Sequence, residues 1–522
     1  MGAAATAVAL VVIGIAAAFP GETSVASVNS AGLWVPGGSG EFPNISADGR
    51  FVIFSTPGAM VPEDTNQRYD VFVRDRHLRL TERVSVTNAG LQGNGVSFDA
   101  SISADGRFVA FASHASNLVA GDTNGAFDVF VRDRLLGTTE LVSISSTGAQ
   151  TTNGAADPAI TADGRYVAFV GGGTGLVAGD TNGFNDVFVH DRQTRTTTRV
   201  SVSSSGAQGN HVSERPSISD DGRYVAFWSL ASTLVSGDET LTHDVFVHDR
   251  VSRTTELASV SSSGARANSG SLNPAISGNG RYVAFHSFAT NLAPGDTNGT
   301  YDVFVRDREA RTTERVSVST SGTQGNDSSA IGTISADGRI VAFASYASNL
   351  VPDDTNGERD IFAHDRATRS TQRASVSSGG TQANSSSHNP MLAPGGHFVT
   401  FESLASTLVL GFGGHHAYVH ELRIPEAQWP PPAPPPPPPE SDSVAVTLAE
   451  YTVSKRMLRV EATSTNSSAT LTVFVTATGE EIGPLRNEGG GRHRAELPWP
   501  TNPETITVRS SAGGSATRSV VA

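Results

Sequence analysis

A chain that repeats itself at a fixed period cannot bury its apolar surface one unit at a time; each unit must pack on its neighbours. Here the tripeptide Asp-Gly-Arg, or a close variant, recurs with its glycine at Gly49, Gly106, Gly164, Gly222, Gly280, Gly338 and Gly396. The first spacing is 57 residues and the next five are 58. A second signature keeps step with it. "GDTNGAFDVFVRDR" at 121–134 returns as "GDTNGFNDVFVHDR" at 179–192, "GDTNGTYDVFVRDR" at 295–308 and "DDTNGERDIFAHDR" at 353–366.

Each unit reads as four short strands, a to d. In the second unit these are "ASIS" (100–103), "RFVAFAS" (107–113), "DVFVRDR" (128–134) and "TTELVSIS" (138–145). Asp-Gly between a and b is a strong hairpin signal. Strands b and c are apolar on both faces, so both faces must be covered. Phe54, Phe111, Phe169, Phe227, Phe285, Phe343 and Phe401 fill one b-strand position throughout. Stacked four-stranded sheets bury both faces at once, and a ring of them is a propeller. Seven b and seven c strands are present, but the seventh c strand, "AYVHELR" (417–423), runs into a proline tract with no d strand after it. "TSVASVNSAG" (23–32) matches "TERVSVTNAG" (81–90), so the N-terminal strand is expected to complete the last blade.

"SADGRFVAFAS" followed by "DVFVRDR" resembles the WD-repeat-like propeller repeat of TolB-like proteins, over residues 23–423. The resemblance implies the fold; it leaves function open, since such repeats serve binding scaffolds, periplasmic envelope proteins and accessory domains of peptidases. The b–c and d–a loops are long and share one end of the ring, whereas the a–b and c–d turns at the other end are short. Binding usually sits on loops held by a rigid scaffold, so the long-loop face is the expected functional face.

The remaining chain adds three segments. Residues 1–22 contain an apolar run, Ala3 to Phe19, of signal-peptide length with small residues at Ala16 to Ala18; a buried helix or a mis-chosen start is the competing reading. Residues 425–441 form a proline-rich linker, and its stretch from Pro430 to Pro439 would span about 30 Å as polyproline II. Residues 442–522 alternate apolar and polar in "SVAVTLA", "RMLRVEAT", "ATLTVFVT", "RHRAEL" and "ETITVRS", which suggests a small β-sandwich. That segment resembles bacterial immunoglobulin-like modules. The expected fold is therefore all-β: a seven-bladed β-propeller over 23–424, closed by an N-terminal strand, plus a C-terminal sandwich.

With no cysteine, disulfides, thiolate chemistry and cysteine metal sites are excluded. A net charge of −14 disfavours nucleic acid and anionic membranes as partners. The Asp-x-Asn-Gly-x-x-Asp pattern invites a calcium reading, because calcium takes six to eight oxygens. The candidate sets are Asp64/Asn66/Asp70, Asp122/Asn124/Asp128, Asp180/Asn182/Asp186, Asp296/Asn298/Asp302 and Asp354/Asn356/Asp360. Blade four keeps Asp238 and Asp244 with Thr240 for Asn. The same residues also suit plain turns, since Asn-Gly is a turn dipeptide and Asp and Asn cap local N–H groups.

The most unusual d–a loop, "GNHVSERPS" (209–217), offers His211, Glu214 and Arg215 as candidate ligand-binding residues; Asp99, Asp157, Asp327 and His388 point to the same mouth. No Gly-x-Ser-x-Gly or His-Glu-x-x-His motif occurs. His190, His248, His364 and His420 alternate with Arg74, Arg132 and Arg306 at one c-strand position and read as solvated edge residues. The expectation is an exported, monomeric, non-enzymatic scaffold that binds a protein or glycan on the long-loop face, secreted, periplasmic or on a bacterial cell surface. The alternatives are a propeller-based carbohydrate lyase or hydrolase, and a cell-surface structural protein attached through its C-terminal module.

Overall fold

Asp-Gly turns and short two-faced strands build the expected ring. The computed structural model describes residues 21–238, 241–424, 443–467, 469–511 and 515–522. The apolar segment before Gly21, the proline-rich linker and Thr240 lie outside the described residues. The chain divides into two compact units, Met1–Pro425 and Glu426–Ala522.

The first unit contains seven four-stranded antiparallel sheets. Six are made of consecutive strands; in blade two these are Ser97–Ile102, Phe108–Ser113, Asp128–Asp133 and Thr138–Leu141. The seventh joins Ser387–Leu392, Phe398–Ser403 and His416–Glu421 to the N-terminal strand Thr23–Val25. Thr23 pairs with His420 and Val25 with Tyr418. The innermost a strands of neighbouring blades touch all the way round, including blade one against blade seven. The unit is thus a seven-bladed propeller closed by strand exchange between its ends.

The central b and c strands carry the core. Phe54 stacks on Phe72, Phe111 on Phe130 and Phe169 on Phe188, each with ring centroids 5.9 Å apart. These rings are fully buried; burial of each contributes roughly 2–3 kcal/mol. Between blades, the Asp-Gly-Arg turn is a docking point. Gly222 has φ +70°, and a Cβ there would overlap the Tyr166 ring of the preceding blade. Gly106 meets Phe51 and Gly164 meets Phe108 in the same way, and Gly49 meets Phe398, which closes the ring. Only glycine fits both the left-handed backbone and the approaching ring. Arginine covers the other side of that ring: the Arg134 guanidinium lies 4.3 Å from the Phe51 centroid.

Every a strand is bulged. In blade two the register shifts between Phe98 and Ser101. The bulge residue is left-handed in all seven blades: Phe42, Asp99, Asp157, Arg215, Asn273, Ile331 and Asn389 have φ between 47° and 55°. Pro43, Pro158, Pro216, Pro274 and Pro390 follow directly in five of them. Proline has no N–H for the ladder and so belongs at a bulge.

The second unit is a small sandwich whose layers join in one rolled sheet of seven strands. Across the sheet the order is Val444–Thr452, Met457–Ser464, Arg492–Pro498, Glu481–Gly489, Leu471–Val475, Thr505–Ser510, Ser515–Ser519. Its edges nearly meet: Tyr451 N–H donates to Val521 O at 2.8 Å, and Val521 N–H to Ala449 O at 3.0 Å. Leu458, Val460, Leu471, Val473, Ile506 and Val508 form the core. Among the described residues no helix is long and apolar enough to cross a membrane.

Candidate functional site

Seven copies of one unit form an internal alignment, and departures from it mark positions that the fold does not dictate. The b-strand phenylalanine is constant, and the Asp-Gly-Arg turn nearly so. Five positions at the long-loop end instead change chemistry from blade to blade. The residue after the b-strand phenylalanine runs Ser55, Ala112, Val170, Trp228, His286, Ala344, Glu402. The second residue of the blade-two a strand, Phe98, is matched by Glu41, Ala156, Glu214, Leu272, Ala330 and His388. The bulge residue after it runs Phe42, Asp99, Asp157, Arg215, Asn273, Ile331, Asn389. The residue after strand b runs Pro57, His114, Gly172, Leu230, Phe288, Tyr346, Leu404. The residue before strand c runs Tyr69, Phe127, Asn185, His243, Tyr301, Arg359, His415.

These positions meet in space as an annulus around the axis. Phe98 and His114 each pack on Phe127 at 5.1 Å between centroids. Asn185 donates to Glu214 at 3.1 Å. Trp228 meets His243 edge-on at 4.9 Å, and Phe288 meets Tyr301 at 5.4 Å. Arg359 lies 3.5 Å from the His388 ring nitrogen and over Tyr346. Glu402 takes hydrogen bonds from Phe42 N–H (2.6 Å), Asn389 (2.9 Å) and His415 (3.1 Å). An open cleft of about 440 Å³ lies between blades two and three, lined among others by Phe98, His114, Phe127, Gly172 and Asn185. Gly171, Gly172 and Gly173 stand where blade two has Ser113, His114 and Ala115, and Gly172, where blade two has a histidine, lines the cleft.

The electrostatics of the annulus differ by sector. Burial pushes Asp99 up to about 6, helped by Asp157 and opposed by Arg215. Arg215 sits 3.5 Å from Asp157. Burial also pushes His286 down to about 4, with Arg359 adding to it. The hydrogen bond to Glu402 raises His415 above the ordinary imidazole range. Burial raises Glu402, but the donors around it outweigh burial and hold the carboxyl low.

Of the three residues singled out from the 209–217 loop, Glu214 and Arg215 lie at this annulus and His211 stands on the turn beside it. Glu214 bonds Asn185, Arg215 pairs with Asp157, and His211 stacks on Phe184 at 4.4 Å. Sequence reading missed most of their neighbours, notably Trp228, His243, Phe288, Tyr301, Tyr346 and Arg359. The signal was available: these are the residues that break the repeat.

The Asp-x-Asn loops lie on the same face, further along the b–c segment. The asparagine of each candidate calcium set is held by its own turn. Oδ1 of Asn66, Asn124, Asn182, Asn298 and Asn356 is already engaged. It accepts from the N–H two residues on, that of Arg68, Ala126, Phe184, Thr300 and Glu358 respectively, at 2.8–3.1 Å. The other end of each amide faces inward. Nδ2 of Asn66, Asn182, Asn298 and Asn356 donates to the final aspartate at 3.0–3.2 Å, and that of Asn124 donates to Thr151 O at 3.3 Å. This is the hydrogen bonding of an ordinary Asx turn.

The final aspartate is buried and accepts from a serine two residues beyond strand d, as Asp70 does from Ser85 at 2.5 Å. In five blades an arginine stands between the two carboxylates. Arg199 is 3.3 Å from Asp180 and 3.4 Å from Asp186. Arg83, Arg315 and Arg373 do the same from that strand-d position, and Arg266 does so from the following loop. Among the described residues no three His, Asp or Glu side chains gather as a metal cluster.

The c-strand histidines differ from expectation. His190, His248, His364 and His420 are 3–5% exposed, not solvated. The adjacent d strand and the preceding blade's loop cover this position. His190 Nδ1 bonds Thr197 Oγ1 at 2.8 Å, and Thr197 in turn donates to Ile144 O of the previous blade. Arg132 fills the same slot with donors to Thr87 O and Thr139 Oγ1, which explains the exchange of histidine with arginine.

No family model matches the chain, and no curated protein matches it in sequence. Similar solved structures include a protein from Agrobacterium tumefaciens assigned as TolB, at 18% identity and TM-score 0.33, covering 53% of this chain and 79% of that one. Another is a prolyl endopeptidase, at 11% identity and TM-score 0.45, covering 82% and 55%. A third is dipeptidyl peptidase 4 of Porphyromonas gingivalis, at 11% and 0.37, covering 85% and 52%. The chain thus spans about half the length of each peptidase. At such identities and scores the propeller assignment rests on this chain's own strand pairing.

Proposed function

We propose that this chain is an exported binding protein that presents a ligand site on the long-loop face of its propeller. One observation carries the reading: the positions at which seven near-identical units diverge converge on one annulus and one cleft. Selection for folding alone holds a repeat constant, whereas a site for one ligand needs each sector to be different. The annulus mixes aromatic faces with histidine, carboxylate and arginine. Phe288 and Tyr346 are 43% and 47% exposed, and flat rings of this kind stack on sugar rings or peptide side chains. A protein or glycan ligand fits that chemistry. The C-terminal unit is an immunoglobulin-like spacer in this reading, supported by its strand order, first-second-fifth-fourth then third-sixth-seventh.

A second reading has one specific support. His415 lies 3.1 Å from Glu402 and 3.9 Å from Glu41, an acid–base grouping at the mouth that suits a glycan lyase or hydrolase.

Glycan arrays and surface-protein pull-downs with the full chain test both. A retained ligand should be lost on Phe288→Ala or Tyr346→Ala with no change in melting temperature. Loss instead on Leu78→Ala or Leu136→Ala, exposed at the opposite c–d turns, would place binding on the wrong face for this proposal. Glycan turnover abolished by Glu402→Gln would favour the enzyme.

A further inference from the structure

The six aspartate pairs of the b–c loops differ in what neutralises them. In blades one, three, four, five and six a guanidinium nitrogen lies 2.9–3.8 Å from both carboxylates. Blade two breaks the rule. The strand-d position that is Arg83, Arg199, Arg315 and Arg373 elsewhere is Leu141, which packs into the apolar core. Blade four also has a leucine there, Leu257, but supplies Arg266 from the next loop, where blade two has Gln150. Gln208, Gln324 and Gln382 donate to both aspartates of their own blades. Gln150 instead donates to Gly121 O at 3.0 Å.

Two buried oxygens are left over. Asp128 is fully buried; its Oδ1 accepts from Ser143 at 2.6 Å, and its Oδ2 makes no hydrogen bond of ordinary length, the Asn124 side chain being the other group that stabilises its charge. Asp122 Oδ1 is likewise buried without one. The two carboxylates repel each other, and the other titratable group acting on Asp122 is His114. Burying like charges without compensation is costly, and the same geometry holds a cationic group in the five sister loops.

We propose that the blade-two loop is a cation site, in which a calcium ion held by Asp122 and Asp128 takes the place that arginine fills in the other five pairs. Both carboxylates offer hard oxygen ligands, and loop carbonyl oxygens with water complete the shell. A site with only two acids belongs to the weak class, with Kd of about 10⁻⁴–10⁻³ M. The ion would brace the b–c loop beside Ala126 and Phe127, which line the blade two–three cleft. This proposal stands on the arginine pattern and not on the binding role of the annulus.

Calorimetric titration of the full chain with calcium chloride tests it, together with melting in about 5 mM calcium against chelator. The expected result is one calcium per chain and a melting temperature about 2–5 °C higher with the ion. Leu141→Arg should abolish both responses and melt above the wild type in chelator. Asp122→Asn should abolish binding without that gain, and it decides the matter if Leu141→Arg does not fold. Calcium binding unchanged in Asp122→Asn overturns the proposal. So does a calcium-insensitive wild type that gains stability on acidification toward about pH 5.5, because a shared proton would then do the work. An equal response to sodium chloride overturns the identity of the ion.

Discussion

Thr23 Oγ1 lies 2.8 Å from Nδ1 of His420, a residue 397 positions further along the chain. The same hydroxyl donates to Val376 O of blade six. Thr197 makes the equivalent pair of contacts with His190 and Ile144. The N-terminal strand therefore occupies a d-strand slot like any other, though it arrives from the opposite end of the sequence.

Closure should be the point where a small change does large damage. Ala26 N–H donates to Ala417 O at 2.8 Å, and Ala26 is buried. Ala26→Pro removes that donor and leaves the carbonyl buried and unpaired, at a cost of about 1–3 kcal/mol. Denaturant midpoints measure the loss, and limited proteolysis should show cleavage in the 21–40 segment.

Two glycines with the same backbone separate strain from contact. Gly183 (φ +72°) has open space at its Cβ position, whereas Gly222 (φ +70°) faces the Tyr166 ring. Gly183→Ala should cost about 1 kcal/mol, from the left-handed backbone alone. Gly222→Ala should cost more, by roughly 1–3 kcal/mol, because the neighbouring blade must move. Chemical denaturation of both variants checks the difference.

Acid should destabilise the ring through its buried histidines. Burial pushes His248, His364 and His420 down to about 4 in the fold, against 6.5 for a free imidazole. The unfolded chain then takes up protons that the folded chain refuses, so this stability is present above about pH 6.5 and is lost toward about pH 4. Burial pushes Asp70 and Asp128 up to about 6, which has the opposite sign and blunts the slope. His364→Gln should make the melting temperature fall less steeply between those limits.

The annulus offers a local titration. His415 is raised by its hydrogen bond to Glu402, so its contribution is present below the free imidazole pKa and fades as pH rises through its own. The NMR midpoint of His415 should lie above 6.5, and Glu402→Gln should bring it down. An unmoved midpoint would separate the two side chains.

The fold was legible because the repeat spelled out its own strands: Phe111 fixes strand b, Asp-Gly-Arg fixes the turn, and residues 23–32 duplicate 81–90. The bulges were harder. Nothing in Ile331 announces a left-handed backbone, which a β-branched side chain resists; the proline after five of its counterparts was the usable hint. The buried c-strand histidines were misjudged because exchange with arginine looked like exposure, when both side chains reach the same covered threonine oxygen. Spacing alone could not show which way an amide such as Asn182 turns, or that its oxygen accepts from Phe184 N–H. Leu141 was legible too, as the strand-d position that lacks arginine or a substitute downstream among the six blades with an aspartate pair, but its meaning needed the carboxylates that Arg199 bridges in the sister blade.

A stack of repeats with free ends loses its outermost unit first, since that unit has one neighbour instead of two. Knotting the head of the chain into the tail sheet removes any outermost unit. Melting cannot creep inward from a loose end, and the propeller is expected to come apart in a single step once the clasp at Thr23 and His420 springs.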